Sequence, residues 1–248
     1  MQRYIHIIIF ACLITFSTGC AVTPYDPFIK SRSEIYEMVD TLAMMPLKCP
    51  DFDRKEEVST RYEALITERL ETAGFKVIPS SEFSSIQDPM IEQMGGMFDP
   101  ITGEADEEKL EAVRLHTMNE LIAKFDIDAY IVPRIVLVKA GWSGNSAYWS
   151  GVTDTVSGKS GFWAAFKNQN MSGTIPAMSL VVGLRDKTNS EGYYLGRGGI
   201  QLLAHYGETF ASGFVDIPKS EWFVDEEKDV TAVAIALSAL VNEPEPDT

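Results

Sequence analysis

The chain has 248 residues, of which 45% are hydrophobic and 23% charged, a composition that excludes a disordered or collagen-like protein. Lysine and arginine number 21 and aspartate and glutamate 36, so the formal net charge is -15. Because so acidic a chain repels a phosphate backbone, the charge argues against nucleic-acid binding. Three cysteines are too few for a disulfide scaffold.

The N-terminus predicts an export signal. Arg3 supplies a basic start, Tyr4 to Phe16 form an apolar run, and small residues follow. That run is shorter than the roughly 20 apolar residues of a membrane-spanning helix. We therefore assign residues 1–19 to a signal peptide, with a buried first helix as the alternative. Removing them takes away one basic and no acidic residue, so the mature chain carries a net charge of -16.

The signal ends in Ser17-Thr18-Gly19-Cys20. These residues resemble the lipobox of bacterial lipoproteins, although Ser17 stands where leucine is usual. The resemblance implies that the Cys20 thiol receives a diacylglyceryl group and becomes the first mature residue. Ala21, rather than aspartate, follows the cysteine, which in enteric-type sorting implies the outer membrane. Cys49 is then the one free thiol of the mature chain, and we expect it to be buried.

Alternating helix and strand signals predict a single mixed α/β domain over residues 33–241, after a tether (residues 20–32) and before a polar tail (residues 242–248). The predicted elements, in chain order, are a strand over 41–47, a helix from Val58 to Gly74, a strand over 75–79, a helix over 106–125, a strand over 129–140, a hairpin of strands over 177–184 and 193–206, and a closing helix over 225–241.

Proline and glycine refine two of these strands. Pro133 predicts an edge position or a bulge for its strand, because proline cannot donate to a sheet ladder. Gly196, Gly198 and Gly199 indicate a bulge or a close backbone approach. The alanine-rich closing helix is of the kind that packs closely against a sheet.

Several stretches together resemble a group of envelope lipoproteins: Arg61 to Ser80, with its helix, Ala-Gly-Phe step and strand, then Asp126 to Val138, Met178 to Leu184 and Leu195 to Ile200. This group includes the curli-secretion lipoprotein, the lipoprotein activators of penicillin-binding proteins and the N-terminal domain of the Tol-system propeller protein. Met94 to Glu108 is similar to a segment of uncharacterised bacterial lipoproteins. The resemblance implies a small mixed-sheet domain that binds partners or self-assembles, without catalytic residues to carry over.

No cofactor or metal is predicted. His116 and His205 stand apart, without HExxH or CxxC spacing. Met90, Met94 and Met97 would offer thioethers to copper on one helical face, but Gly95 and Gly96 interrupt it. The acidic stretch Asp99 to Glu108 lacks the calcium-loop pattern, so we interpret it as a turn that caps the next helix, with incidental cation binding as the alternative.

Nucleotide and hydrolase signatures are incomplete. Gly158-Lys159-Ser160 lacks the upstream glycine of a phosphate loop, since Thr153 stands there. There is no GxSxG motif, which a hydrolase of that fold would carry. A pair of catalytic carboxylates remains an alternative, because the chain has many acidic residues.

Residues 141–173 stand out as a glycine-rich loop insertion that holds three of the four tryptophans. We predict a partner-binding surface from its aromatic side chains, Trp142, Tyr148, Trp149, Phe162 and Trp163. Contact with a lipid surface and burial in the domain's own core are the alternatives. A membrane hairpin is disfavoured because residues 146–156 do not alternate apolar with polar.

The sequence therefore predicts a non-catalytic binding or assembly module of the cell envelope, held by its lipid on the periplasmic face of the outer membrane. Its partner is an envelope protein or a second copy of itself. The alternatives are a component of an oligomeric export pore and an envelope hydrolase that uses carboxylates.

Overall fold

The computed structural model describes residues 25–156, 172–188, 190–207 and 213–242. The predicted signal peptide and Cys20 lie outside these residues. The helices are α1 (Arg32–Met38), α2 (Lys55–Thr72), α3 (Ser80–Gln93), α4 (Glu107–Phe125) and α5 (Glu226–Val241). The strands are β1 (Thr41–Met44), β2 (Lys76–Ile78), β3 (Ala129–Ser143), β4 (Ser146–Trp149), β5 (Val152–Thr155), β6 (Ser172–Asp186), β7 (Gly192–Leu202), β8 (Ala204–Tyr206) and β9 (Phe214–Asp216).

The long strands β3 and β6 form the centre of a mixed seven-stranded sheet and pair antiparallel from Ala129↔Asp186 to Ser143↔Ser172. On the far side of β3, its first residues pair parallel with β1, and its last residues pair antiparallel with β4. β2, β5 and β7 continue the sheet outside β1, β4 and β6, while β8 and β9 form a separate pair. The predicted α/β class with a mixed, helix-flanked sheet is confirmed.

Helices cover both faces of this sheet. α2 buries Val58, Tyr62, Ile66 and Leu70 at four-residue spacing, and together with α5 it covers one face. α3 and α4 cover the other face around a smaller core that includes Phe83 and Leu121. Gly74, with φ at +98°, ends the turn after α2 in the left-handed region, as its position in the sequence predicts.

The strand that holds Pro133 is central, so the predicted edge is wrong, and its continuous register with β6 shows no bulge. Proline is accepted here because β1 ends at Met44, before it would reach Pro133. The Pro133 carbonyl accepts a hydrogen bond from the N–H of Lys48, 3.2 Å away, on that same side. At this position no residue of β1 pairs with β3, so the missing N–H of Pro133 costs the sheet no hydrogen bond.

The glycine prediction for β7 is confirmed on both counts. The register between β6 and β7 shifts between Met178 and Ser179, which leaves Ile200 as the extra residue of a bulge in β7, next to Gly199. Gly196 and Gly198 meet α5 so closely that a β-carbon on either would overlap its backbone.

Much of the predicted loop over residues 141–173 is β-structure in the described part. Residues 141–156 complete β3 and form β4 and β5, and residues 172–173 begin β6. Ser150 (φ 43°) and Gly151 (φ 80°) form a two-residue turn with both φ angles positive, which suits the twist of a hairpin. This hairpin curls towards β7, where the N–H of Gly199 donates to the carbonyl of Ser150 at 2.9 Å.

The last residues of the predicted tether (residues 20–32) contact the domain. The N–H of Leu195 donates to the carbonyl of Pro27 at 2.8 Å, and the N–H of Ile29 donates to the carbonyl of Tyr193 at 2.9 Å. The chain therefore already lies along the edge of β7 by Pro27. A capping box between Ser31 and Glu34 then starts α1.

Within the described residues, no helix combines the length and apolarity that crossing a membrane requires.

Candidate functional site

Two of the predicted contact aromatics lie in the core. Trp142 is 6% exposed and Trp149 is 8% exposed, in a cluster beneath the β4–β5 hairpin. The Trp149 Nε1–H donates to the carbonyl of Met178 at 2.9 Å. Trp142 packs edge-on against Phe214, with ring centroids 5.4 Å apart. For these two residues the structure favours the core alternative over partner contact.

The other predicted contact residues have different placements. Tyr148 is 53% exposed. Phe162 and Trp163 lie outside the described residues, as does Gly158-Lys159-Ser160.

Tyr148 belongs to an exposed patch at the end of the sheet where β4 pairs with β3. It pairs with Gly141, which shares a face of β3 with Leu137 because side chains alternate along a strand. Leu137 is 62% exposed. Gly141 has open space where a side chain would stand, so the Tyr148 ring is uncovered there. We call this patch the outer sheet surface, formed by Leu137, Lys139, Gly141, Tyr148 and Thr153.

A groove of about 680 Å³ lies beside α5, on the opposite edge of the sheet from β2. We call it the α5 groove. Its walls come from the chain before α1, the β4–β5 turn, β7 and α5, through Tyr25, Pro27, Ser150, Gly151, Tyr194, Gly196, Arg197, Ile235, Ser238 and Ala239.

Close packing of α5 on β7 forms the floor of this groove. A β-carbon on Gly196 would lie 1.7 Å from the carbonyl oxygen of Ala236, so glycine is required there. The Tyr194 hydroxyl donates to that same carbonyl at 2.6 Å, and burial raises the pKa of Tyr194. The Tyr194 hydroxyl therefore stays protonated and holds α5 in place.

Arg197 is the one charged side chain among the described residues that line the α5 groove. Its guanidinium lies 5.7 Å from the centre of the Tyr25 ring, within cation–π distance. The Tyr25 hydroxyl donates to the carbonyl of Leu195, which fixes the ring over β7. Arg197 is exposed and takes part in none of the ion pairs found among the described residues.

The sequence does not predict this groove, because its walls come from four distant parts of the chain. One local signal was available. Arg197 stands between Gly196 and Gly198 in a predicted strand, so its side chain points to the face opposite the close approach that the two glycines indicate.

The most deeply buried carboxylate joins two helices. Asp229 of α5 accepts hydrogen bonds from Arg61 Nη2 and from the Tyr62 hydroxyl of α2, each at 2.6 Å. Burial raises the pKa of Asp229, and the bonds from Tyr62 and Arg61 oppose that rise. Burial and the neighbouring Asp229 also raise the pKa of Tyr62. None of these three residues lines the α5 groove.

Two other carboxylates accept hydrogen bonds from backbone N–H groups. Asp128 accepts from the N–H groups of Asp40 and Thr41, at 3.0 and 2.9 Å. Glu63 accepts from the N–H of Leu47 at 2.9 Å and from the Ser80 hydroxyl. Each of these carboxylates ties one element to the next.

The described residues contain no group of three or more His, Cys, Asp or Glu side chains placed to hold a metal ion. α3 ends at Gln93, and Gly95 and Gly96 both have positive φ, so Met97 does not share a helical face with Met90. The predicted capping turn is confirmed, since the Asp106 side chain accepts from the N–H of Lys109 at 3.1 Å. Cys49 is partly buried, and its sulfur lies 3.9 Å from the Ser59 hydroxyl.

No family model matches the chain, and no curated protein matches it. Among solved structures, the chain is similar to the crystal structure of a lipoprotein from Neisseria meningitidis. The two share 16% sequence identity with a TM-score of 0.32, over 65% of this chain and 82% of that one.

Proposed function

We propose that the protein is a non-catalytic binding or assembly module of the bacterial cell envelope. Its anchor is a lipid on Cys20, after removal of residues 1–19, and its domain faces the periplasm from the outer membrane. The residues Ser17-Thr18-Gly19-Cys20 at the end of a short export signal support the anchor, and Ala21 supports the outer-membrane destination.

Acyl chains hold this protein at a membrane better than its own surface charge can. Each buried CH₂ contributes about 0.8 kcal/mol, and two or more acyl chains give stable attachment. A mature chain with a net charge of -16 is repelled by anionic lipid as a whole. Acyl chains are therefore the part of the protein best suited to hold it at the membrane.

The observation that carries the binding role is the outer sheet surface. Tyr148 and Leu137 are both more than half exposed on one face of a hydrogen-bonded sheet, where an anchor residue for a partner is well positioned. The carboxylates of Asp229, Asp128 and Glu63 support the non-catalytic role, because each already binds backbone or side-chain donors of the fold.

The export-pore alternative requires hairpins that leave the domain. The described hairpin of β4 and β5 instead buries Ala147 and Trp149 in the domain's core. Light scattering of the purified chain in detergent tests this alternative, because a pore requires a ring of many copies and a strictly monomeric species would refute it.

Radiolabelled palmitate fed to cells that express the full chain tests the anchor. We expect label in the wild type and in Cys49→Ser, and none in Cys20→Ser. Label in Cys20→Ser, or no label in the wild type, would refute the anchor. Density-gradient separation of the two membranes of those same cells tests the outer-membrane destination.

A photo-crosslinking amino acid in place of Tyr148 tests the contact surface in intact cells. The matched control places it at Leu115, which is 46% exposed on α4. We expect an adduct of defined mass from position 148 and not from position 115. Identical adduct patterns at both positions would refute the outer sheet surface as the contact.

A further inference from the structure

We infer that the α5 groove binds an anionic phospholipid of the membrane to which the chain is anchored, with its headgroup at Arg197 and an acyl chain along α5. This inference rests on the proposed anchor at Cys20, because the anchor brings the groove to the membrane.

The position of the groove in the chain supports a membrane lipid as its occupant. Tyr25 forms one wall and lies five residues after Cys20. Five residues span at most about 17 Å even when fully extended. Pro27 and Ile29 then fix the chain to β7, so the anchor cannot move far from this edge of the sheet. The groove is thereby held within one leaflet's thickness of the acylated cysteine.

The charge of the groove selects an anion. Arg197 is exposed at the groove edge, and no described carboxylate lines the groove beside it. Guanidinium groups donate in a planar fork that matches phosphate oxygens. In a mature chain with a net charge of -16, a local cation in a groove without described carboxylates gives an anionic headgroup a favourable place to bind.

The remaining walls suit an acyl chain. Ile235 and Ala239 stand one turn apart on α5, and Pro27 also lines the groove. The volume of about 680 Å³ lies within the range of sites for small apolar ligands, which is about 300–1,000 Å³. Ser150 and Ser238 contribute hydroxyls, already bonded to Ser179 at 2.8 Å and to the carbonyl of Ile235 at 2.9 Å.

Exposed apolar residues flank Pro27 beside the groove. Tyr25 is 58% exposed and Ile29 is 64% exposed, on the segment that leads from the groove into α1. Aromatic and aliphatic side chains beside a cation are typical of surfaces that lie at a membrane interface.

Native mass spectrometry of the full chain, purified from membranes in detergent, tests the inference. Phosphatidylglycerol and phosphatidylcholine with identical acyl chains are added at equal concentration. We expect at least tenfold more bound phosphatidylglycerol than phosphatidylcholine. Arg197→Gln should abolish this preference, and Arg197→Lys should retain part of it. The matched control is Arg134→Gln, which removes an exposed arginine of β3 outside the groove.

A second variant tests the acyl-chain half of the site. Ala239→Phe fills the groove from a partly exposed helix position and should reduce binding of both lipids. Equal binding of the two lipids by the wild type, or an unchanged preference in Arg197→Gln, would overturn the inference. The mass of the chain itself reports acylation, so an unmodified chain contradicts the proposed anchor, whereas an acylated chain without lipid preference overturns only the groove.

Discussion

A β-carbon on Gly198 would lie 1.9 Å from the carbonyl oxygen of Ala232. No real side chain can occupy that position, so α5 and β7 touch backbone to backbone. Ala232 and Ala236 are one helical turn apart, and Gly198 and Gly196 are one strand repeat apart, so the contact is made twice. The closing helix therefore packs against the sheet through two glycines of β7, which have no side chain, and two alanines of α5, which have only a methyl group.

Gly198→Ala should destabilise the protein by about 3 kcal/mol, because α5 would have to move away from β7 and expose part of the main core. Urea denaturation followed by circular dichroism measures this change. Gly141→Ala is the matched control, since a β-carbon there meets nothing within 4 Å. It should leave the free energy of unfolding within about 0.5 kcal/mol of the wild type. Equal losses in the two variants would contradict this account of the helix–sheet contact.

Elements with a strong local period could be predicted from the sequence. The four-residue spacing from Val58 to Leu70 and the alanine-rich stripe of α5 each place one apolar face, which a helix must bury. The two central strands were predicted too, because long apolar runs bounded by turn residues leave few alternatives. α3 was missed, since Pro89 lies inside it and only Phe83 of its side chains is buried.

Features that depend on distant residues could not be predicted. Trp142 and Trp149 look like contact residues in a glycine-rich segment, and only their neighbours in β6, β8 and β9 make them core. The α5 groove depends on the same kind of long-range packing. For Gly196 and Gly198 the sequence did indicate a close approach, but it did not identify α5 as the partner.

Tyr148 and Trp149 are neighbours in β4 that point to opposite faces, so they separate contact from stability. Trp149→Ala should cost about 3–5 kcal/mol, because it empties a core site and leaves the carbonyl of Met178 without its donor. Tyr148→Ala should change the free energy of unfolding by no more than about 0.5 kcal/mol and should weaken partner capture. Thermal unfolding and crosslinking of both variants provide the two measurements. A large loss of stability in Tyr148→Ala would show that this ring belongs to the core.

Asp229 should be the charged residue whose loss most weakens the contact between α2 and α5. Asp229→Ala leaves the Tyr62 hydroxyl without its acceptor and removes the charged partner of Arg61 Nη2, which keeps its bond to the carbonyl of Phe223. We expect a loss of about 3 kcal/mol. Glu226→Ala is the control, because Glu226 is 72% exposed and lies 3.4 Å from the same arginine. It should cost less than about 1 kcal/mol. Urea denaturation at neutral pH measures the free energy of unfolding of both variants. Similar losses would show that the buried Asp229 stabilises the protein no more than the exposed Glu226 does.

Asp186 should make the hairpin of β6 and β7 sensitive to acid. Partial burial works against ionisation of this carboxyl, but hydrogen bonds from Thr188, Glu191 and Ser190 outweigh it and lower its pKa. The folded state then binds the proton less readily than the unfolded state. The stabilisation is complete above the ordinary pKa of aspartate, about 4, and is lost as the pH falls through the lower folded value.

Asp186→Asn cannot ionise, so its free energy of unfolding should fall less steeply than that of the wild type between about pH 5 and pH 3. The two curves should therefore converge towards acid. Urea denaturation across that range measures the difference, with Lys187→Gln as a control that changes a charge in the same turn and keeps the Asp186 carboxyl. A wild type that loses no more stability than Asp186→Asn on acidification would show that the hydrogen bonds to Asp186 do not favour its charged form.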